Sequence, residues 1–262
     1  MGKRPEMQDK LALERDLFWL AAGFLTVLPV PAGLPESDDL TVRSAKYYPL
    51  VGAIVGVLCA LVWLVASVAL PPLVAALLAV TTAVLVTGGM HERGLFVTAE
   101  ALSHEGPHRA VLRMVRARQG GLFGGMAVGL CLALKVALLA SFSPAAGAAL
   151  LPVAQGLSRM AVVHTEFTTR DVREKGRRRV AVPVTPDGYR IALSISVVLA
   201  AVLLAVLGLG VTIAVYVGSI LLGQAFRRGF MARLGGYTGS CLGGVQQMAE
   251  LGSLLGAAVI MA

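Results

Sequence analysis

Residues 48–90 read YPLVGAIVGVLCALVWLVASVALPPLVAALLAVTTAVLVTGGM, and this stretch decides the fold class. It contains two apolar runs, 48–70 and 73–90, which are joined by Pro71 and Pro72. Neither run contains a charged residue, and each is close to the ~20 residues that a helix needs to cross a bilayer. Because proline cannot continue a helix, the stretch predicts two transmembrane helices with a tight turn between them.

The rest of the chain repeats this hairpin pattern. An apolar run at 17–30 is short for a crossing and is ended by Pro29 and Pro31, so it predicts a partial or re-entrant helix. Further spans are predicted at 122–142, 145–163, 191–209, 211–226 and 241–262. The sequence therefore predicts an all-α fold, a polytopic transmembrane helical bundle of about seven spans plus a short N-terminal helix, as one integral membrane domain over residues 1–262.

The composition agrees with a membrane protein. Hydrophobic residues make up 56% of the 262 residues and charged residues only 15%, whereas a soluble domain has roughly 25% charged residues. The three cysteines, Cys59, Cys131 and Cys241, have no paired spacing, which argues against a disulfide framework or a zinc site.

The basic residues gather on one side of the predicted bundle. The segments 31–47, 91–119, 164–189 and 227–240 carry sixteen of the 23 Lys and Arg residues, and the turns on the opposite side carry none. The positive-inside rule places these segments and the N-terminus in the cytoplasm and the C-terminus on the far side. The net charge of +8 fits anionic lipids or a phosphorylated substrate. Nucleic acid is excluded because the bases are spread over separate loops without a recognition motif.

Three charged residues, Lys135, Arg159 and Glu250, fall inside predicted spans. Charges at membrane depth are costly, so they predict functional roles by default. Two structural alternatives stay open: the bases pair with Glu250 or with carbonyl groups inside the bundle, or Arg159 extends its charge to the membrane surface.

The segment around the first long loop is the richest in polar groups. Gly88 and Gly89 precede His91, so the backbone there could approach a ligand closely. His104 and His108 have a metal-binding spacing for a helix, but Pro107 between them argues against a regular helix and makes a zinc site improbable. Four arginines follow, suited either to anionic headgroups or to phosphate oxygens: Arg109, Arg113, Arg116 and Arg118.

The last long loop contains a glycine-rich stretch, GGYTGSCLGG at 235–244. Glycine-rich turns at a helix start can bind phosphate through backbone N–H groups, although this one is not a Walker A motif. Glycines are also common where membrane helices pack closely, so the stretch on its own is a weak signal.

With these motifs in order, the chain resembles the adenosylcobinamide-GDP ribazoletransferases, also called cobalamin-5′-phosphate synthases. The resemblance runs over nearly the whole length and rests on the order and spacing of its parts. These are FLTVLPVP at 24–31, YPLVG at 48–52 with Gly56, TGGMH at 87–91 with Gly94, Leu95 and Thr98, Gly121 with Gly124 and Gly125, Lys135, Ser158 and Arg159, and GGYTG at 235–239 with Leu242, Gly243 and Glu250.

The resemblance implies a reaction. A cobinamide phosphate passes from its GDP-activated form to a ribose hydroxyl of α-ribazole or its phosphate, releasing GMP at the inner membrane of a bacterium with the help of Mg²⁺. It implies His91 and Glu100 as catalytic residues, and Glu100 and Glu250 as metal ligands. The implied substrate-binding residues are Gly88, Gly89, Thr98, Lys135, Arg159, Thr238 and Gly239.

The chain departs from this family at its acidic positions. The family pattern after the histidine is roughly H-x-D-G-x-A-D-x-x-D, where this chain has Arg93 and Val97 for the first two acids and keeps only Glu100. Other acid positions are occupied by Ala117, Ser240 and Gln247. Arg93 would repel a divalent cation, and a magnesium site made of Glu100 and substrate phosphates would be weak.

Two alternatives to an active transferase therefore stay open. One is a catalytically silent homologue that still binds nucleotide or corrinoid phosphate through its arginines. The other is a small transporter in which Lys135, Arg159 and Glu250 line a path. The oligomeric state is left open.

Overall fold

The computed structural model describes residues 3–35, 37–172 and 184–261, with side chains from residue 10 onward, and its regular elements are all helical. This confirms the predicted all-α class. A short 3₁₀ turn, Ala45–Tyr47, joins the second and third helices. The helices are α1 (Lys3–Leu25), α2 (Asp38–Ser44), α3 (Tyr48–Ala69), α4 (Pro72–Thr87), α5 (Met90–Ser103), α6 (His108–Arg116), α7 (Leu122–Ser141), α8 (Pro144–Thr168), α9 (Pro186–Leu234) and α10 (Gly239–Met261).

Four helical segments are long and apolar enough to cross a membrane, namely Asp38–Ala69, Leu122–Ser141, Pro144–Thr168 and Pro186–Leu234. Helices α4 and α5 meet at 90° and add a fifth crossing if they are counted as one broken span. Helix α9 covers the two predicted spans at 191–209 and 211–226. Within it, Gly208 leaves the helical conformation, with φ 83° and ψ 175°, and divides the helix into arms at 186–207 and 209–234. The predicted span at 241–262 is helix α10, which is not among the apolar segments.

The predicted loop at 91–119 is wrong over most of its length, since it contains helices α5 and α6. Apolar residues alternate with its charged residues: Val97 and Ala101 are buried on one face of α5, and Leu95 is buried in a different apolar cluster. The predicted loop at 227–240 is likewise mostly helical, because α9 continues to Leu234 and stops at Gly235, whose φ of 64° suits glycine. The predicted loop at 164–189 begins as helix up to Thr168, and its basic residues between 173 and 183 lie outside the described residues.

The predicted short helix at 17–30 is longer than expected, because α1 begins at Lys3, and it ends at Leu25, before Pro29. Glu14 fastens α1 to the turn before α3, where its carboxylate accepts a hydrogen bond from the Tyr47 hydroxyl at 2.7 Å and pairs with Lys46. Burial raises the pKa of Glu14, but the hydrogen bonds from Lys46 and Tyr47 outweigh it and hold the pKa below its ordinary value. The N-terminal helix is therefore tied to the bundle by charge as well as by apolar contacts.

Helices α3 and α8 are in close backbone contact at two glycines. A Cβ atom on Gly56 would lie 2.4 Å from the Cα of Pro152, and one on Gly52 would lie 2.4 Å from the carbonyl oxygen of Gln155. Small residues at such positions let membrane helices approach closely. The contact fixes α8, which carries Gln155 and Arg159, at the centre of the bundle.

We expect Gly56→Ala to destabilise the protein by about 1–3 kcal/mol, because the new methyl group overlaps the backbone of α8. Thermal unfolding of the purified protein in detergent measures the effect. The matched control is Gly129→Ala on α7, where a Cβ atom would meet nothing within 4 Å and no loss is expected. Equal unfolding temperatures for the two variants would contradict the close contact.

Candidate functional site

A cluster of charged and amide side chains lies inside the bundle, where α5, α7, α8 and α10 meet. At its centre, the ammonium group of Lys135 lies 2.8 Å from Oε2 of Glu250 and 2.8 Å from Oε1 of Gln247. All three side chains are almost completely buried. The structural alternative for Lys135, a pair with Glu250 inside the bundle, is therefore confirmed.

The cluster lies deep along the helices. Lys135 follows the start of α7 by 13 residues and Arg159 precedes the end of α8 by nine, which places them about 20 Å and about 13 Å from those helix ends. On α10, Gln246, Gln247 and Glu250 occupy adjacent positions of one helix face. The three charged residues that were predicted inside spans, Lys135, Arg159 and Glu250, therefore lie in one cluster.

Arg159 is fully buried, so the alternative that it extends to the membrane surface is wrong. Its Nη1 donates to the carbonyl oxygen of Gln155 at 2.9 Å and to Oε1 of the same residue at 2.5 Å. The Gln155 amide nitrogen donates in turn to Glu250 at 2.9 Å, so the neutral Gln155 side chain bridges Arg159 and Glu250. Nη2 of Arg159 lies 3.4 Å from Nε2 of His91, and Nε has no hydrogen-bond partner among the described residues.

Several members of the cluster were not identified from the sequence as site residues. Gln247 donates to Oε1 of Glu92 at 2.9 Å and to Oε1 of Gln246 at 2.8 Å. Gln246 donates to Glu250 at 2.9 Å and to Ser158 at 3.0 Å. Their signal in the sequence is an uncharged amide within an otherwise apolar helix, which stands out less than a full charge.

The two glycines before His91 shape the chain. Gly88 and Gly89 both have left-handed backbones, with φ of 62° and 65°, and they form the 90° bend between α4 and α5. The bend brings His91 into the buried cluster beside Arg159. The structure thus gives both glycines a conformational role, while a role in substrate binding stays a prediction.

None of the remaining predicted site residues lines the central cavity. Thr98, Thr238 and Gly239 lie near the start of α10, and Glu100 lies beside the start of α7. Thr98 and Thr238 are buried, the latter with its hydroxyl 3.4 Å from the Cys241 sulfur, and Gly239 is exposed. Glu100 accepts a hydrogen bond from the backbone N–H of Gly124 at 2.8 Å. It therefore caps the start of α7 from a neighbouring helix, since Gly121 offers no side chain for this purpose.

Glu100→Leu should lower the stability by about 1 kcal/mol through loss of this cap, whereas Glu100→Gln should keep most of it because an amide oxygen still accepts. Chemical or thermal unfolding in detergent separates the two variants. Glu105→Leu, on the exposed loop after α5, is the matched control and should leave the stability unchanged. Equal losses for both Glu100 variants would contradict the capping role.

Helix α6 presents its arginines outward. Val111 and Val115 pack inward, while Arg109 and Arg113 are exposed. Arg116 is tied down by a hydrogen bond to the carbonyl oxygen of Val172 at 2.7 Å. Arg118 has a positive φ of 54°, an uncommon backbone for a residue with a side chain. Of the four arginines between 109 and 118, Arg116 is therefore engaged within the protein, and the other three are exposed where lipid or phosphate could bind.

As predicted from Pro107, no helix joins His104 to His108: α5 ends at Ser103, just before His104, and His108 begins α6. His108 bonds the carbonyl oxygen of Arg233 through Nδ1 at 2.7 Å. Among the described residues, no group of three or more His, Cys, Asp and Glu side chains is close enough to hold a metal ion.

The acid positions of the family pattern have distinct environments here. Arg93 is exposed, while Val97 is 1% exposed in an apolar cluster between α5, α6, α9 and α10. Gln247 lies between Lys135 and Glu92: its amide oxygen accepts from Lys135, and its amide nitrogen donates to Glu92. The cluster around Val97 also contains Ala101, Val111, Val115, Phe230, Leu234, Tyr237, Cys241 and Val245.

Together these features define an integral membrane protein whose helical bundle encloses a buried charged centre. The sequence model of the cobalamin-5-phosphate synthase family matches residues 17–258, and the chain belongs to this family. An adenosylcobinamide-GDP ribazoletransferase of Shewanella frigidimarina is 33% identical over 243 residues, which cover 90% of this chain and 91% of the relative. One of Ralstonia nicotianae is 36% identical over 240 residues, covering 89% and 91%. No solved structure matches the chain significantly.

Proposed function

We propose that the chain acts as a membrane transferase of late cobalamin synthesis, joining GDP-activated adenosylcobinamide to α-ribazole or its 5′-phosphate with release of GMP. The observation that carries the proposal is the family match over residues 17–258, supported by relatives named for this activity that align over about nine-tenths of both chains. The proposed location is the bacterial inner membrane, with the basic segments in the cytoplasm and in contact with anionic lipids.

In the proposed reaction, a ribose hydroxyl oxygen that is free in both α-ribazole and its 5′-phosphate forms a bond to the phosphorus that bears the cobinamide. The bond from that phosphorus to the GMP oxygen breaks, and the hydroxyl proton passes to a base. Glu100 is the candidate base: Oε2 accepts from the N–H of Gly124, and among the described residues Oε1 has no hydrogen-bond donor and could take the proton. His91 turns Nε2 towards Arg159, a geometry that suits positioning of the guanidinium.

Glu100 and Glu250, the two metal ligands that the resemblance implies, are not arranged to hold a magnesium ion. Both oxygens of Glu250 are engaged, Oε1 by the Gln155 amide and Oε2 by Lys135 and Gln246. Glu100 caps α7 and does not line the cavity beside Glu250. No reaction step is therefore assigned to the ion, and magnesium stays a prediction of the family resemblance.

The burial of Val97 favours a second candidate function, a silent homologue that binds the phosphorylated ligand without turnover. An acid of the family pattern is replaced there by an apolar contact, so this position supplies no charge for a cation or a base. The exposed Arg109 and Arg113 would then bind phosphate oxygens.

Turnover by membranes that contain the chain tests both candidates. The assay combines Mg²⁺, GDP-activated adenosylcobinamide and α-ribazole, and it measures GMP release together with the joined product. Lys135→Met should abolish turnover, while the matched control Lys10→Met, on the exposed face of α1, should not change it. Absence of product from the unmodified chain, together with retained binding of the GDP-activated corrinoid, would favour the silent homologue.

A further inference from the structure

The start of α7 lies against two side chains of α5. Phe96 and Glu100 are four residues apart on α5, so they share one face of that helix. The chain that lies against them, residues 120–125, reads GGLFGG. A Cβ atom on Gly120 would overlap the ring of Phe96, and one on Gly124 would overlap its carbonyl oxygen. Glycine at these positions therefore lets α7 begin in direct contact with α5.

The same contact determines how the two carboxylate oxygens of Glu100 are used. Oε2 accepts a hydrogen bond from the backbone N–H of Gly124 at 2.8 Å. A Cβ atom on Gly121 would lie 2.6 Å from Oε1, closer than Cβ atoms approach other atoms in folded proteins, so only glycine leaves room for this oxygen. Glu100 is therefore held through one oxygen, while the other lies open beside Gly121.

The surroundings of Glu100 differ from those of the other carboxylate that the resemblance implies in the site. Glu100 is partly exposed, and the adjacent residues 117–120 are exposed. A soluble acceptor can therefore approach Oε1 from the surface of the protein. Glu250, in contrast, is 6% exposed and is bonded through both oxygens, to Gln155 and to Lys135. Of these two carboxylates, only Glu100 is placed to take a proton from a soluble hydroxyl compound.

We propose that Phe96 and Gly121 are positioning residues for Glu100 in the transfer reaction. Phe96 fixes the chain at Gly120 and Gly124, which keeps the N–H of Gly124 on Oε2. Gly121 leaves Oε1 open, so this oxygen takes the proton of the ribose hydroxyl while the hydroxyl oxygen bonds to phosphorus and the GMP oxygen leaves. The inference rests on the proposed function, in which Glu100 is the candidate base.

Steady-state turnover tests the two roles. In Gly121→Ala the new methyl group displaces the carboxylate, so we expect kcat for GMP release to fall at least about tenfold while KM stays within about twofold. The matched control is Gly125→Ala, whose Cβ atom would meet the ring of Phe96 at an ordinary 3.9 Å, and it should leave kcat unchanged. Phe96→Leu should lower kcat as Gly121→Ala does, because leucine lacks the ring that contacts Gly120.

Double variants show whether both residues act through Glu100. Glu100→Gln removes the base but keeps an acceptor for the N–H of Gly124, so adding Gly121→Ala or Phe96→Leu should lower the remaining turnover no further. A further fall in either double variant would mean that the added substitution acts in another way, and it would overturn the positioning role of that residue.

Hydrogen exchange provides a measurement that does not depend on turnover. The N–H of Gly124 lies in the first turn of α7 and has no partner within the helix, so its protection depends on Glu100. Exchange at Gly124 should become at least about tenfold faster in Gly121→Ala and in Phe96→Leu, but not in Gly125→Ala. Thermal unfolding of the purified proteins in detergent checks that all variants are folded.

The two measurements separate a failure of this inference from a failure of the proposed function. Faster exchange at Gly124 in both variants, without GMP release from the unmodified chain, would uphold the positioning of Glu100 and count against the transferase. GMP release together with unchanged exchange would uphold the transferase and overturn the positioning roles. Faster exchange with an unchanged kcat would overturn them as well, because the carboxylate would have moved without consequence for the reaction.

Discussion

Lys135→Met is expected to destabilise the protein by about 3–5 kcal/mol, because removing one partner of a buried ion pair leaves the other charge uncompensated. The ammonium group is held by Glu250 and Gln247 at 2.8 Å each, and Lys135 is 2% exposed. Methionine has a similar length and fills the space, so the loss reports on charge more than on packing. Unfolding in detergent, followed by temperature or denaturant, measures it.

The matched control is an ion pair at the surface. Arg190 contacts Asp187 at 3.1 Å, with both side chains largely exposed, so Arg190→Met should leave the stability unchanged. The double variant Lys135→Met with Glu250→Gln removes both charges and should regain at least half of the lost stability. Lys135→Met as stable as the unmodified chain would contradict the buried pair.

The double variant also separates structure from function. If Lys135 acts only by balancing Glu250, turnover or ligand binding should return together with stability. If Lys135 also contacts a substrate phosphate, as the family resemblance implies, stability should return while binding stays weak. Such a split is the result that a merely structural lysine would not give.

The sequence could predict those charged residues of the cluster that lie within apolar runs. Lys135, Arg159 and Glu250 were identifiable because each interrupts an apolar run, and their pairing was one of two structural alternatives. Gln155 and Gln246 were not, because an amide in a helix gives no comparable signal. Their roles depend on the register between α8 and α10, which the chain alone does not specify.

The helices likewise divide into those that the sequence predicted and those that it did not. The hairpins were predictable from long apolar runs, and two of them also from Pro71 and Pro144, which stand where one helix ends and the next begins. Helices α5 and α6 were not, because their arginines and glutamates lie on one face and gave the segment a loop-like composition. The 90° bend at Gly88 and Gly89 was not predicted, because the two glycines indicated only that the backbone could approach a ligand closely. The bend is stabilised by the packing of α5 against α7 and α10.

Val97→Asp, which places an acid where the family pattern has one, is expected to destabilise the protein by at least about 3 kcal/mol, since it buries a carboxyl group among apolar side chains. Val97 is 1% exposed and packs in the cluster formed with Phe230 and Val245. Thermal unfolding in detergent measures the loss. Arg93→Asp, at an exposed position on the same helix, is the matched control and should leave the stability unchanged.

The size of this loss distinguishes the two candidate functions. A large loss means that the apolar cluster has closed the space around position 97, so restoring single acids cannot restore a cation site, as expected for a silent homologue. A Val97→Asp protein as stable as the unmodified chain would mean that water or a cation reaches the new carboxylate. In that case Arg93→Asp with Val97→Asp should raise GMP release in the presence of Mg²⁺, because two carboxylates would then be available to hold the ion beside the substrate diphosphate.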